Sequence, residues 1–218
     1  MINKKRLDRR RFLTGSSTLL GASMLSGLPT IANSALGSSK NNAVINSDRP
    51  DHQVPILKGN EFDLYISKKP IIVNGKSSMA TLINDSLPAP TLKMQEGDTV
   101  VIRVHNQMNE STSIHWHGLL VPFEMDGVPG ISFDGIPAGS TFTYKFKLTQ
   151  SGTYWYHSHT GFQEQTGMRG AIVIEPKGRE RYPIEEDHVI LLSDWTHRDP
   201  HNLLKLLKQR ADFDNYHL

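Results

Sequence analysis

Phe142-Thr143-Tyr144-Lys145-Phe146-Lys147 and, after the turn Gln150-Ser151-Gly152, Thr153-Tyr154-Trp155-Tyr156-His157-Ser158-His159 decide how this chain reads. The first stretch alternates aromatic and polar side chains. Successive side chains of a strand point to opposite faces, so Phe142, Tyr144 and Phe146 share a buried face and Thr143, Lys145 and Lys147 a wet one. The second stretch ends in a His-x-His pair, and another stands some forty residues earlier in His115-Trp116-His117-Gly118. Residues two apart on a strand lie on one face, so each pair presents two imidazoles roughly 6–7 Å apart. If the two strands are neighbours, four imidazoles converge. Protonated rings would repel and neutral rings need partners, so a metal ion fits such a cluster; imidazole suits zinc, copper, iron and nickel.

The β pattern extends outward from there. Residues 62–66 alternate, and so do residues 100–104, which follow the turn Glu96-Gly97-Asp98. Gly170-Ala171-Ile172-Val173-Ile174-Glu175 closes the set. Many short strands joined by Gly, Pro and Asp turns predict an all-β Greek-key sandwich over residues 54–180. Residues 35–53, polar and rich in Ser and Asn, read as a flexible lead-in. Past the sandwich, Val189-Ile190-Leu191-Leu192 is an apolar run of strand length. Asp199-Pro200 then opens a helix with Leu203, Leu204, Leu206 and Leu207 along one stripe. One strand and one helix do not make a domain, so residues 181–218 read as the start of a second one, cut short.

Charge is unevenly placed in the 218 residues. Lys4, Lys5, Arg6, Arg9, Arg10 and Arg11 stand against Asp8 in residues 1–34, a net of +5, which leaves −3 for the remainder of a chain whose total is +2. A mildly acidic body carries no electrostatic footprint for nucleic acid. Arg9-Arg10-Arg11-Phe12-Leu13 precedes a weakly apolar segment rich in Gly, Ser and Leu, the pattern of a twin-arginine leader over residues 1–34, and so predicts export to the periplasm. No run of eighteen apolar residues is present to span a membrane. There is no cysteine, so the core holds without disulfides and no thiolate ligand exists in this sequence.

Ser113-Ile114-His115-Trp116-His117-Gly118, Met125-Asp126-Gly127-Val128-Pro129-Gly130 and Gly152-Thr153-Tyr154-Trp155-Tyr156-His157-Ser158-His159 together resemble the first cupredoxin domain of a multicopper oxidase. With Gly161-Phe162-Gln163-Glu164-Gln165 and residues 170–174 added, the string most resembles the bacterial copper-resistance oxidases of the CopA type. The resemblance implies copper as cofactor. It gives His115 to the type 2 copper, and His117, His157 and His159 to the type 3 pair. Asp126 matches a family carboxylate that helps move protons in oxygen reduction, which makes it the candidate catalytic residue. It reads equally well as the turn residue of an Asp-Gly step. Trp116 is expected in core or interdomain packing, and Trp155 and Tyr156 in the sheet core. His52, His105, His188, His197, His201 and His217 match no ligand motif, and the seven methionines are scattered.

The resemblance also shows what this sequence lacks. The family's type 1 copper needs a thiolate, and four of its eight cluster histidines lie in a C-terminal domain. Coupling the oxidation of Cu(I) or phenols to O2 reduction is therefore not expected of this chain without missing C-terminal cupredoxin domains. Three functions stay open: the amino-terminal part of a periplasmic copper oxidase, a stand-alone copper-sequestering module without turnover, and a zinc protein.

Overall fold

A computed structural model describes residues 44–48, 53–178, 185–210 and 212. The expected leader over residues 1–34 lies outside the described residues, as do His52 and His217. Among these residues ten strands and one α-helix follow in chain order: β1 (Ile45–Asn46), β2 (Ile56–Lys58), β3 (Glu61–Val73), β4 (Lys76–Ile83), β5 (Ala89–Gln95), β6 (Thr99–Asn106), β7 (His115–His117), β8 (Thr141–Lys147), β9 (Gly152–His157), β10 (Arg169–Glu175) and α1 (Pro200–Gln209).

The strands form two five-stranded sheets. One runs β1-β3-β6-β8, with β4 also paired to β3; the other runs β2-β5-β10-β9-β7. Both are mixed: β3 lies parallel to β6 and β5 parallel to β10, while β8, β9 and β7 pair antiparallel. The alternation read from the sequence is the alternation of burial. Phe62, Leu64 and Ile66 of β3, Val100, Ile102 and Val104 of β6, and Tyr144 and Phe146 of β8 turn inward. Strand β10 sits between β5 and β9 and is buried along most of its length, as befits a central strand.

Beneath the His-bearing strands lies an aromatic core. Trp116 is fully buried, edge-on to Tyr144 at 5.1 Å and beside Phe146 and Tyr156. Tyr156 donates its hydroxyl to the Pro90 carbonyl at 2.7 Å, and the Tyr144 hydroxyl accepts the Ile114 amide. The two tyrosines bury a large area while their hydroxyls find partners; the buried Trp116 indole N–H has none among the described residues. At Gly170 any Cβ would stand 2.6 Å from the Tyr156 ring, so only glycine lets β10 pass this aromatic.

Two segments depart from their sequence reading. The lead-in expected to be flexible contributes β1, whose Ile45 packs on a second small core of Ile71, Ala80, Leu82 and Leu87. Val189-Ile190-Leu191-Leu192 does not form the expected strand: it has no ladder partner among the described residues, and Ile190 and Leu192 are exposed. An apolar run of strand length becomes a strand only beside a free edge. The helix begins where expected. Asp199 caps it by accepting the His201 amide at 2.9 Å, with proline in the first turn. Among the described residues no helix is long and apolar enough to cross a membrane.

Candidate metal centre

Strand β7 pairs antiparallel with β9, so that His115 stands opposite His157, Trp116 opposite Tyr156, and His117 opposite Trp155. The pleat sends the odd-numbered residues to one face and Trp116 and Tyr156 to the core. All four histidines meet on that outer face. Ring centroids are 5.6 Å apart for His115 and His117, 5.5 Å for His115 and His157, and 4.9 Å for His115 and His159. Ligand nitrogens of His115, His157 and His159 all lie within 4.8 Å of one another. His117 joins from the side, its Nδ1 3.2 Å from Nε2 of His157. Two ring nitrogens facing at that distance share either a proton or a cation.

The second pair is built differently from its sequence reading. Strand β9 ends at His157, and His159 reaches the cluster from a loop. Its amide donates to the Ser113 hydroxyl at 3.0 Å, Ser113 bonds Thr160, and the Thr160 amide donates to the Ser158 hydroxyl. Behind them Gln163 is buried. Its Oε1 accepts from Thr112 and Ser158, and its Nε2 donates to the Ser111 carbonyl and the Glu110 carboxylate. This side-chain lattice, rather than the pleat, sets His159.

Neighbouring oxygens fix two tautomers. His115 Nδ1 faces the Asp126 carbonyl at 2.8 Å, and His157 Nδ1 faces the Glu164 carboxylate at 2.8 Å and the Ser158 carbonyl at 3.1 Å. These oxygens can only accept, so Nδ1 carries the proton in both rings and each Nε2 turns its lone pair toward the cluster, that of His157 facing His117 Nδ1. Burial, with the positive character of the neighbouring imidazoles, holds His157 and His159 below the ordinary imidazole value. Both are therefore neutral imidazoles at neutral pH, the form that can hold a metal ion. An all-imidazole donor set with no thiolate is one that copper accepts.

Asp126 follows a single 3-10 turn, Phe123–Met125, and its amide closes that turn on the Phe123 carbonyl. Its carboxylate lies 3.4 Å from His115 Nδ1 and is partly exposed, so one residue makes the turn and sets a carboxylate at the cluster. Gly127 makes this approach possible. At φ +81° it lies so close to β7 that a Cβ would stand 1.7 Å from the Ile114 carbonyl oxygen.

Trp155 is a correction. It is half-buried and stacks on His157 at 4.0 Å and on His117 at 4.9 Å, on the metal face rather than in the core. Its odd number, shared with His157, was the available signal. Glu164 and Gln163 carried no assigned role, because nothing in a polar loop marks which side chains turn inward. The other described histidines bond elsewhere: His105 to Asp63 and Thr141, His188 to Glu186, His197 to Ser78, while His201 lies edge-on to Phe162.

Three converging imidazoles, with His117 beside them, sit on β7, on β9 and on the loop after β9 of a mixed β-sandwich, an arrangement able to hold an imidazole-binding metal ion. Residues 65–179 match the family model described as multicopper oxidase, and the chain belongs to the multicopper oxidase family, whose cofactor is copper. Copper resistance protein A of Pseudomonas syringae pv. tomato is 44% identical over 98% of this chain, and copper resistance protein A of Escherichia coli is 49% identical over 73%. The chain spans 33% and 26% of those two proteins. The crystal structure of a multicopper oxidase from Pseudomonas thermotolerans matches 58% of this chain and 32% of its own, at 31% identity and a TM-score of 0.54.

Proposed function

We propose that this chain is the copper-holding amino-terminal part of a periplasmic copper-resistance oxidase. His115 serves the type 2 position, and His117, His157 and His159 serve the type 3 pair. Bound copper would supply one-electron chemistry, coupling oxidation of Cu(I) or a phenol to reduction of O2 to water in the complete enzyme. The chain's own groups prepare for this. The Asp126 carbonyl and the Glu164 carboxylate keep Nδ1 protonated on His115 and His157, leaving Nε2 to the metal. The Asp126 carboxylate, beside His115 and partly exposed, takes and returns a proton at Oδ1. Residues 1–34 act as a twin-arginine leader, residues 35–53 lead in, residues 54–180 form the first cupredoxin domain and residues 181–218 lead toward further ones.

The convergence of three ring nitrogens within 4.8 Å, in a member of a copper family, carries this reading. Relatives named for copper resistance, and their greater length, support the rest. The test is a Cu(II) titration of the purified chain with electron paramagnetic resonance and an oxygen electrode. The expected result is tight uptake with a pale, type-2-like spectrum, no intense blue band because no thiolate is present, and no sustained O2 consumption until a protein carrying the remaining His and Cys ligands is added. Failure to bind copper would overturn the site. Sustained turnover by the chain alone, abolished by His159→Ala, would overturn its role as part of a larger centre.

A further inference from the structure

Three rings stand in a row along β9 and the loop beyond it. Trp155 lies nearly parallel to His157 at 4.0 Å and 16°, and His157 is followed by His159 at 5.0 Å and 35°. The ladder also brings His117 across from β7 onto the same indole, at 4.9 Å and 30°. Trp155 is thus the end plate of the cluster, touching one ligand from each strand with a single flat face.

The two imidazoles need such a plate for different reasons. His157 has its Nδ1 held by Glu164 and Ser158, so its ring is already pinned at one edge. His117 has no carbonyl or carboxylate partner among its hydrogen bonds in the described residues. Among the described residues, its one ring-nitrogen hydrogen bond is to His157 Nε2 at 3.2 Å. That contact must open when a cation takes the two lone pairs. The indole is what remains to hold the His117 plane while the proton leaves and the metal arrives. An aromatic face does this without competing for the nitrogen, because stacking engages the ring and leaves its edge free.

We propose that Trp155 is a positioning residue of the metal centre: stacked on His117 and His157 together, it fixes both imidazole planes so that their nitrogens face one shared ion. This rests on the reading of the cluster as a copper site. A flat ring at position 155 is therefore required, and apolar bulk alone does not suffice. Trp155→Leu keeps an apolar side chain but not the plane; Trp155→Phe keeps a smaller plane. Trp195→Leu is the control, since Trp195 packs on the separate core of Ile71, Ala80, Leu82 and Leu87.

The metal-free chain is examined first by proton NMR. Ring protons of His117 and His157 should resonate upfield in the wild type, return toward ordinary values in Trp155→Leu, and stay partly shifted in Trp155→Phe. Cu(II) titration with electron paramagnetic resonance follows. Trp155→Leu should bind about 10–100-fold more weakly, with a broadened, heterogeneous copper spectrum, as changes behind metal-bound histidines do. Trp155→Phe should recover most of the affinity and a single spectrum, and Trp195→Leu should match wild type. Unshifted His117 and His157 protons in the folded wild type would overturn the inference without reference to copper. So would a Leu variant that binds as tightly as wild type, or Leu and Phe variants weakened alike. Copper failing to bind the wild type while the ring shifts are present would instead overturn the copper reading and leave the stack in place.

Discussion

The two His-x-His pairs have the same spelling and different construction. His115 and His117 both lie on β7, and the period of the strand is enough to set them side by side. His157 is the last residue of β9, and His159 stands beyond it, held by Ser113, Ser158, Thr160 and Gln163. The first pair depends on backbone ladder and a packed core beneath it. The second depends on buried polar side chains that must all be satisfied. A strand places side chains by repetition, whereas a loop places them by a lattice that has no counterpart in local sequence periodicity.

The largest effect should come from the support of the strand-borne pair. Gly127→Ala puts a methyl group where the Ile114 carbonyl already stands, at a positive φ that alanine resists. The expected loss is more than about 4 kcal/mol, or failure to fold, read by urea unfolding. A stable Gly127→Ala variant with copper affinity intact would show that this close approach does not set His115.

Gln163→Ala strikes the loop-borne histidine, His159. It strips partners from Thr112, Ser158 and Glu110 in a buried setting and should cost about 2–4 kcal/mol. Hydrogen exchange should quicken in residues 158–168 and change little in β7. Uniform quickening in both would erase the distinction between the two pairs.

How much of this was legible follows the same divide. Phe142, Tyr144 and Phe146, and the meeting of His115, His117 and His157 on one face, needed only the two-residue period and the assumption that the strands are neighbours; the register that sets His115 opposite His157 did not follow from either. Trp155 was legible by that same period but was read as core beside Tyr156, although adjacent strand residues cannot share a face. Gln163 and Gln165 look alike in sequence, yet only Gln163 is buried, because only it lies under the Thr112 and Ser158 hydroxyls. Residues 189–192 had the composition of a strand and have no ladder partner among the described residues, which no local pattern reveals.

A smaller effect concerns pH. His157 and His159 titrate below the unfolded imidazole value of about 6.5 because burial disfavours their charged forms. Their folded pKa values are depressed, so the unfolded chain takes up protons first as pH falls. Stability of the metal-free chain is then full above the unfolded value and declines as pH drops through it toward the folded ones. The urea midpoint should fall between pH 7 and 5, and His157→Gln should flatten that slope. A midpoint that rises over this range would mean the two rings gain partners for their charged forms instead.

One titration goes to the centre of the matter. Cu(II) affinity is compared in the wild-type chain, in a variant combining His115→Ala from β7 with His157→Ala from β9, and in His188→Ala, whose ring lies on the exposed C-terminal segment beside Glu186. If the two strands build one copper centre, the cross-strand double variant should lose at least about 100-fold in affinity, some 2.7 kcal/mol, while His188→Ala binds as the wild type does. Equal losses in both variants, or a double variant that still binds tightly, would contradict it.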